Sequence, residues 1–155
     1  MAYSYVVTSV KPTAISSSII CNFTSISDIN LIIARGNRLE IHTWSNEELI
    51  PILDVALYGR INSLASFKHS KSTKDVIYIL TEKLHFCVLS FDEDNKTLIN
   101  IAAGYLRDKF GKEIEGGSFS LIDPGYRLIG VFIYDGVLKV NIVLYYLFVI
   151  VVDYI

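Results

Sequence analysis

Three stretches of this chain repeat one object, a strand, a tight turn and a second strand. The first is Asn30–Ala34, then Arg35-Gly36-Asn37, then Arg38–His42. The second is Val76–Leu80, then Thr81-Glu82-Lys83, then His85–Leu89. The third is Arg127–Ile133, then Tyr134-Asp135-Gly136, then Val137–Val140, with the hairpin dipeptide Asp-Gly at its turn. They recur about every 50 residues, the range in which internal repeats signal propeller blades. A propeller closes with four or more blades, and this repeat count stops at about three. The pattern therefore predicts part of a larger scaffold.

The segments between the hairpins are of the same kind. Val, Ile, Thr, Tyr and Phe dominate, as suits a pleated, half-buried surface. No segment holds a 3.6-residue apolar period over a helix length. The fold class is all-β: an incomplete, WD40-like β-propeller of about three four-stranded antiparallel blades. Strands are expected at Ala14–Phe23, Leu49–Leu57, Arg60–Phe67, Thr97–Ala103 and Ser118–Ile122. Leu49–Leu57 reads as an outer strand, because Pro51 and Asp54 blunt a free edge. Turns are expected at Trp44–Glu48, Asp92–Lys96 and Asp123-Pro124-Gly125, and a long surface loop from Gly104 to Gly117.

Composition excludes several functions. The 155 residues are 52% hydrophobic and only 19% charged, with a net charge of -2. Their mean hydropathy is +0.43. Fourteen basic residues are scattered, so no electrostatic footprint for nucleic acid or an anionic membrane is present. Cys21 and Cys87 lie far apart and read as buried thiols of a reducing compartment. The N-terminus has no basic, apolar leader pattern, so an intracellular protein is expected. The sequon Asn22-Phe23-Thr24 is then a chance match.

Residues that could carry chemistry are few. His85 and Cys87 share one face of a strand, but a metal or catalytic pair needs further ligands, and His42 and His69 are remote in sequence. Asp92, Glu93 and Asp94 lack calcium-loop spacing and read as a solvated turn. Ser16-Ser17-Ser18 has no nucleophile elbow, and Gly111, Gly116 and Gly117 do not lead from a strand into a helix. No catalytic residue, metal or cofactor is assigned, and an enzyme is not expected. The loop carrying Arg107, Lys109 and Lys112 is the candidate partner-binding surface, as a contact for an acidic or polar segment.

A resemblance adds to this reading. Tyr5-Val6-Val7-Thr8, Lys11-Pro12-Thr13-Ala14, Phe23-Thr24-Ser25, Asn30–Ala34, Arg38–Ile41 and Ile122-Asp123-Pro124 occur in order. Arg127–Gly130, Tyr134-Asp135-Gly136 and Lys139-Val140 complete the series. Together they resemble the start of the damage-specific DNA-binding protein 1 family, large propeller scaffolds of cullin-RING ubiquitin ligases. The opening Val-Val-Thr and Lys-Pro-Thr-Ala favour that branch over its relatives in mRNA cleavage-polyadenylation and splicing. The resemblance implies that residues 13–140 build a partial first propeller, and that residues 1–12 add a strand to a later one. It implies docking of substrate receptors of a cullin-4 type ligase through the full-length protein, an indirect association with DNA and no membrane. The expected location is the nucleus, and also the cytoplasm. Cullin binding would fall to a second propeller, outside this chain.

Two departures from the family stand out. The loop reads Asp108-Lys109-Phe110-Gly111-Lys112 where the family pattern is arginine-rich, and lysine lacks arginine's planar fork. The apolar stretch 141–155 departs altogether and reads as one buried strand or two, or as the tail of a truncated product without function. The rival functional class is an RNA-processing scaffold of the same superfamily.

Overall fold

The computed structural model describes residues 10–68, 72–107, 117–134, 137–144 and 147–154, with residue 137 and residues 141–154 described by backbone alone. Among the described residues, twelve strands form three four-stranded antiparallel sheets, each a meander in chain order. The first sheet holds β1 (Ser17–Cys21), β2 (Asn30–Arg35), β3 (Arg38–Ser45) and β4 (Glu48–Ala56). The second holds β5 (Ile61–Lys68), β6 (Asp75–Thr81), β7 (His85–Asp92) and β8 (Thr97–Tyr105). The third holds β9 (Phe119–Ile122), β10 (Leu128–Tyr134), β11 (Val137–Leu144) and β12 (Leu147–Tyr154). Strands β1, β5 and β9 stand side by side as the inner strands of successive blades. The all-β, three-bladed expectation holds. Among the described residues, no helix is long and apolar enough to cross a membrane.

The hairpins form where the turn chemistry lies. Gly36 adopts φ +60° in the two-residue turn between β2 and β3. Asn46 and Glu47 take φ 51° and 64°, so a second two-residue turn joins β3 to β4. Two successive left-handed residues match the right-handed twist of the flanking strands. That turn is narrower than the expected Trp44–Glu48, because Trp44 and Ser45 pair with Leu49 and Glu48. Leu84, at φ 61°, closes the three-residue turn between β6 and β7. Thr81 Oγ1 pins this turn, accepting from His85 N at 3.1 Å and donating to His85 O at 3.0 Å.

Other boundaries shift for local reasons. The strand expected at Ala14–Phe23 is regular only from Ser17 to Cys21. The amides beyond it donate to side chains instead: Asn22 N to Asp75 Oδ2 at 2.8 Å, and Phe23 N to Asn30 Oδ1 at 2.9 Å. Strand β8 runs two residues past Ala103, so Gly104 and Tyr105 are strand rather than loop, and residues 108–116 of the expected loop lie outside the described residues. Strand β4 carries Pro51 beside an irregularity opposite Ile41/His42, where a missing amide is tolerated. The stretch 141–155 contributes the end of β11 and all of β12. These strands pair continuously from Val137↔Tyr154 to Leu144↔Leu147, so β12 is the outer strand of the third blade.

Two cores lie between the blades. Ile32, Ala34, Leu39 and Ile41 of blade 1 meet Ile61, Leu64, Ile77 and Ile79 of blade 2. On the other side of blade 2, Val76, Tyr78, Leu80 and Phe86 meet Ile129, Val131 and Ile133 of blade 3. Strand β6 alternates between the two, which explains its unbroken Val-Ile-Tyr-Ile-Leu run. A strand covered on both faces has no polar phase. Each fully buried aliphatic side chain contributes about 1.5–3 kcal/mol. Gly104 is required by this packing, since a Cβ there would lie 2.6 Å from the Phe86 ring.

One buried group is mismatched. The Tyr78 side chain is fully buried, yet among the described residues its hydroxyl has no hydrogen-bond partner. An unpaired buried hydroxyl costs desolvation without return. Tyr78→Phe is therefore expected to leave stability unchanged or raise it by about 1 kcal/mol. A loss of that size in urea unfolding would show that the hydroxyl is satisfied in solution.

Candidate partner-binding surface

Arg107 is exposed and follows a pinned residue. Leu106, 1% exposed, donates its amide to Leu84 O at 2.9 Å. Its carbonyl accepts from Lys139 Nζ at 2.6 Å. Lys139 is itself only 2% exposed, with its ammonium 5.8 Å from the Tyr134 ring centroid. Leu106 is thus held from two blades, by the β6–β7 turn of blade 2 and by β11 of blade 3. Of the three candidate cations only Arg107 is placed; Lys109 and Lys112 lie outside the described residues. Sequence reasoning missed Lys139. Its one signal was a lysine among the apolar residues of a strand, Val137-Leu138-Lys139-Val140.

The remaining candidates that fall within the described residues occupy structural positions. His85 is exposed and stacks on Tyr105, with centroids 4.5 Å apart. Cys87 packs against the core between blades 1 and 2. His42 sits on blade 1 with Nε2 3.5 Å from Glu40 Oε2, and His69 lies outside the described residues. Asp92 accepts from Asn95 Nδ2 at 2.8 Å and from Asp94 N at 3.0 Å. Those bonds, Asn95's above all, hold its carboxyl below the usual carboxylate range. Glu93 pairs with Lys74 at 3.0 Å, and Lys74 also donates to Phe91 O at 2.6 Å. The acidic run thus shapes its own turn. Ser16 Oγ donates to Ala34 O at 3.2 Å. The Asn22 amide of the sequon donates to Asp28 O at 2.8 Å.

The N-terminal approach crosses blade 1. Lys11 Nζ lies 2.7 Å from Asp54 Oδ2, and Arg38 Nη2 lies 2.6 Å from Asp54 Oδ1. The Lys11 bond is the main cause of the lowered Asp54 pKa.

Both cysteines are free thiols. Burial pushes Cys21 up to about 12 and Cys87 up to about 11. The thiolate is the nucleophile, so both side chains are chemically quiet near neutrality. Because folding raises both values, their ionisation destabilises the native state as the pH climbs above the ordinary thiol range of about 8.5. Iodoacetamide at pH 8 is expected to label the folded chain at least about tenfold more slowly than the urea-unfolded chain. Equal labelling rates, read by intact mass, would contradict this.

The sheets, the inner-strand order and the hairpin positions meet an independent match. The family model described as RSE1/DDB1/CPSF1 first beta-propeller aligns with residues 14–145. The chain belongs to this propeller family. Among its relatives, DNA damage-binding protein 1a of Arabidopsis thaliana is 42% identical over 139 residues, covering 90% of this chain and 13% of the relative. DNA damage-binding protein 1 of Solanum lycopersicum is 43% identical over 138 residues, with 89% and 13% covered. The Oryza sativa subsp. japonica protein of that name is 41% identical over 138 residues, with the same coverage. The chain thus spans about an eighth of the length of these relatives, 13%.

Proposed function

We propose that this chain supplies opening blades of a non-enzymatic propeller scaffold that docks substrate receptors in a cullin-4 type ubiquitin ligase serving the DNA damage response. The observation that carries the reading is 42% identity over 139 residues to a DNA damage-binding protein 1a, within a first-propeller family. A propeller offers rigid blades and variable loops, which suits docking more than chemistry. Residues 13–140 would then belong to the first propeller, and residues 1–12 would add a strand to a later one. The relatives' damage-binding names support a nuclear location. Association with DNA would be indirect, through the receptors. Arg107, Lys109 and Lys112 would contact an acidic or polar segment of a receptor.

The family description also includes RSE1 and CPSF1, which supports an RNA-processing scaffold as the second reading. Affinity purification of the full-length gene product separates the two. Recovery of a cullin with its receptors supports the first reading, whereas recovery of cleavage or splicing subunits without a cullin overturns it. Reversing charge at Arg107, Lys109 and Lys112 together is expected to reduce receptor recovery and leave cullin recovery unchanged. Undiminished receptor recovery would remove these residues from the contact.

A further inference from the structure

The two outer strands with described side chains are unlike each other. Strand β4 is guarded by Glu48, Pro51 and Asp54, and Asp54 holds both Lys11 and Arg38. Strand β8, Thr97-Leu98-Ile99-Asn100-Ile101-Ala102-Ala103-Gly104-Tyr105, has neither a charged residue nor a proline in 9 residues. It ends its sheet, so alternate amides and carbonyls along it face away from β7. Among the described residues no strand pairs with it on that side, and an open edge without charge or proline is a template for another extended chain. Blade 2 is the middle blade, so this edge lies on the outer rim whatever follows blade 3.

A second observation sits beside the same strand. A cleft of about 510 Å³ opens in the wedge between blades 1 and 2, lined by Leu57, Tyr58, Ile79, Cys87, Ala103 and Tyr105 among others. Its volume lies in the range that holds a small organic group. Tyr58 stands at its mouth, fully exposed. The connector fixes that position: Leu57 N donates to Asn37 O at 2.7 Å, and Gly59 stands at φ +125°, where a Cβ would lie 3.3 Å from the Thr81 methyl. The irregularity in β8 falls between its pairings with Val88 and Leu89. It leaves Ala102–Tyr105 as a regular run opposite His85–Val88, the half of the strand that borders the cleft.

We infer that Ala102–Tyr105 accepts an extended, uncharged segment of a partner protein as an added strand, with one aromatic or large aliphatic side chain in the cleft. The added strand continues the β7–β8 ladder outward. Main-chain hydrogen bonds supply affinity, and the pocket for an alternate side chain supplies selectivity. The uncharged edge and the mainly apolar cleft both match an uncharged segment, since a charge there would lose water without a partner. This deepens the scaffold reading and rests on it.

The test uses the full chain and labelled octapeptides of alternating Thr and Val, with Phe, Tyr, Trp, Leu or Ala at one central position. Fluorescence anisotropy is expected to show that a Phe, Tyr, Trp or Leu peptide binds at least about tenfold more tightly than the Ala peptide. Methylating the backbone nitrogens on one edge of the best peptide is expected to weaken it by a similar factor, and methylating the other edge is not. Ala103→Glu, at an exposed position, is expected to abolish binding while the circular dichroism spectrum stays unchanged. Lack of binding by every peptide at about 1 mM overturns the inference. Indifference to methylation, or full binding by a folded Ala103→Glu chain, does so equally. Should the full-length product still recover receptors while the peptides fail, the scaffold reading stands and the edge site falls.

Discussion

Asn30→Ala is expected to destabilise the chain by about 3 kcal/mol, among the larger losses from removing one polar side chain. Asn30 is fully buried. Its Oδ1 accepts from Phe23 N at 2.9 Å, Thr24 N at 2.8 Å and Thr24 Oγ1 at 2.9 Å. Its Nδ2 faces Thr43 Oγ1 at 3.4 Å. Alanine strands two backbone donors at once, and each buried donor left unsatisfied costs about 1–3 kcal/mol. The damage also reaches the joint between blades. The same turn presents Asn22, whose amide and carbonyl pair with Asp75 of blade 2, each at 2.8 Å. For a chain of this size the loss corresponds to a fall in Tm of roughly 6–12 °C. Urea unfolding of Asn30→Ala beside Asn30→Asp checks the cause. Aspartate keeps the acceptor and is expected to lose less at neutral pH. Equal losses would mean that packing, not acceptance, is what Asn30 supplies.

Lys139→Ala is expected to cost about 3 kcal/mol, from a lost charge-assisted hydrogen bond and a cavity. The ammonium is buried and donates to Leu106 O at 2.6 Å. Lys139→Met keeps most of the volume and loses the ammonium with its bond to Leu106 O and its contact over the Tyr134 ring, and about 1.5–3 kcal/mol is expected from the lost bond. The local consequence is more specific than the global one. Leu106 is the residue from which Arg107 departs, and its amide is bonded to Leu84 O. With Lys139 replaced by methionine, exchange of the Leu106 amide is expected to accelerate more than exchange along β6. Uniform acceleration would assign Lys139 to global stability and remove it as the anchor of the loop.

These two residues mark where reading residues in order stops working. Asn30 looked like the first residue of a hairpin strand, and it is that. Its side chain also closes the turn behind it, a role visible only once Phe23 and Thr24 fold back. Lys139 stood only as one residue of the third hairpin's second strand, Val137–Val140. Blade 2 brings the Leu106 carbonyl to it across 33 positions of sequence. The candidate loop was legible as polar and glycine-rich, yet of its three cations only Arg107 falls within the described residues. The stretch 141–155 resisted reading because it has no alternation. Pairing of β12 on β11 supplied what the residue pattern lacked.

Turn chemistry and period-two alternation act over a few residues, so the chain alone determined its hairpins, their spacing and its all-β class. The unbroken apolar run of β6 carried the further message of a strand covered on both sides. Which strand covers which, which buried amide finds which acceptor, and which edge stays open were decided by the tertiary structure. Those outcomes depend on contacts between residues far apart in sequence, and no local pattern encodes the partner.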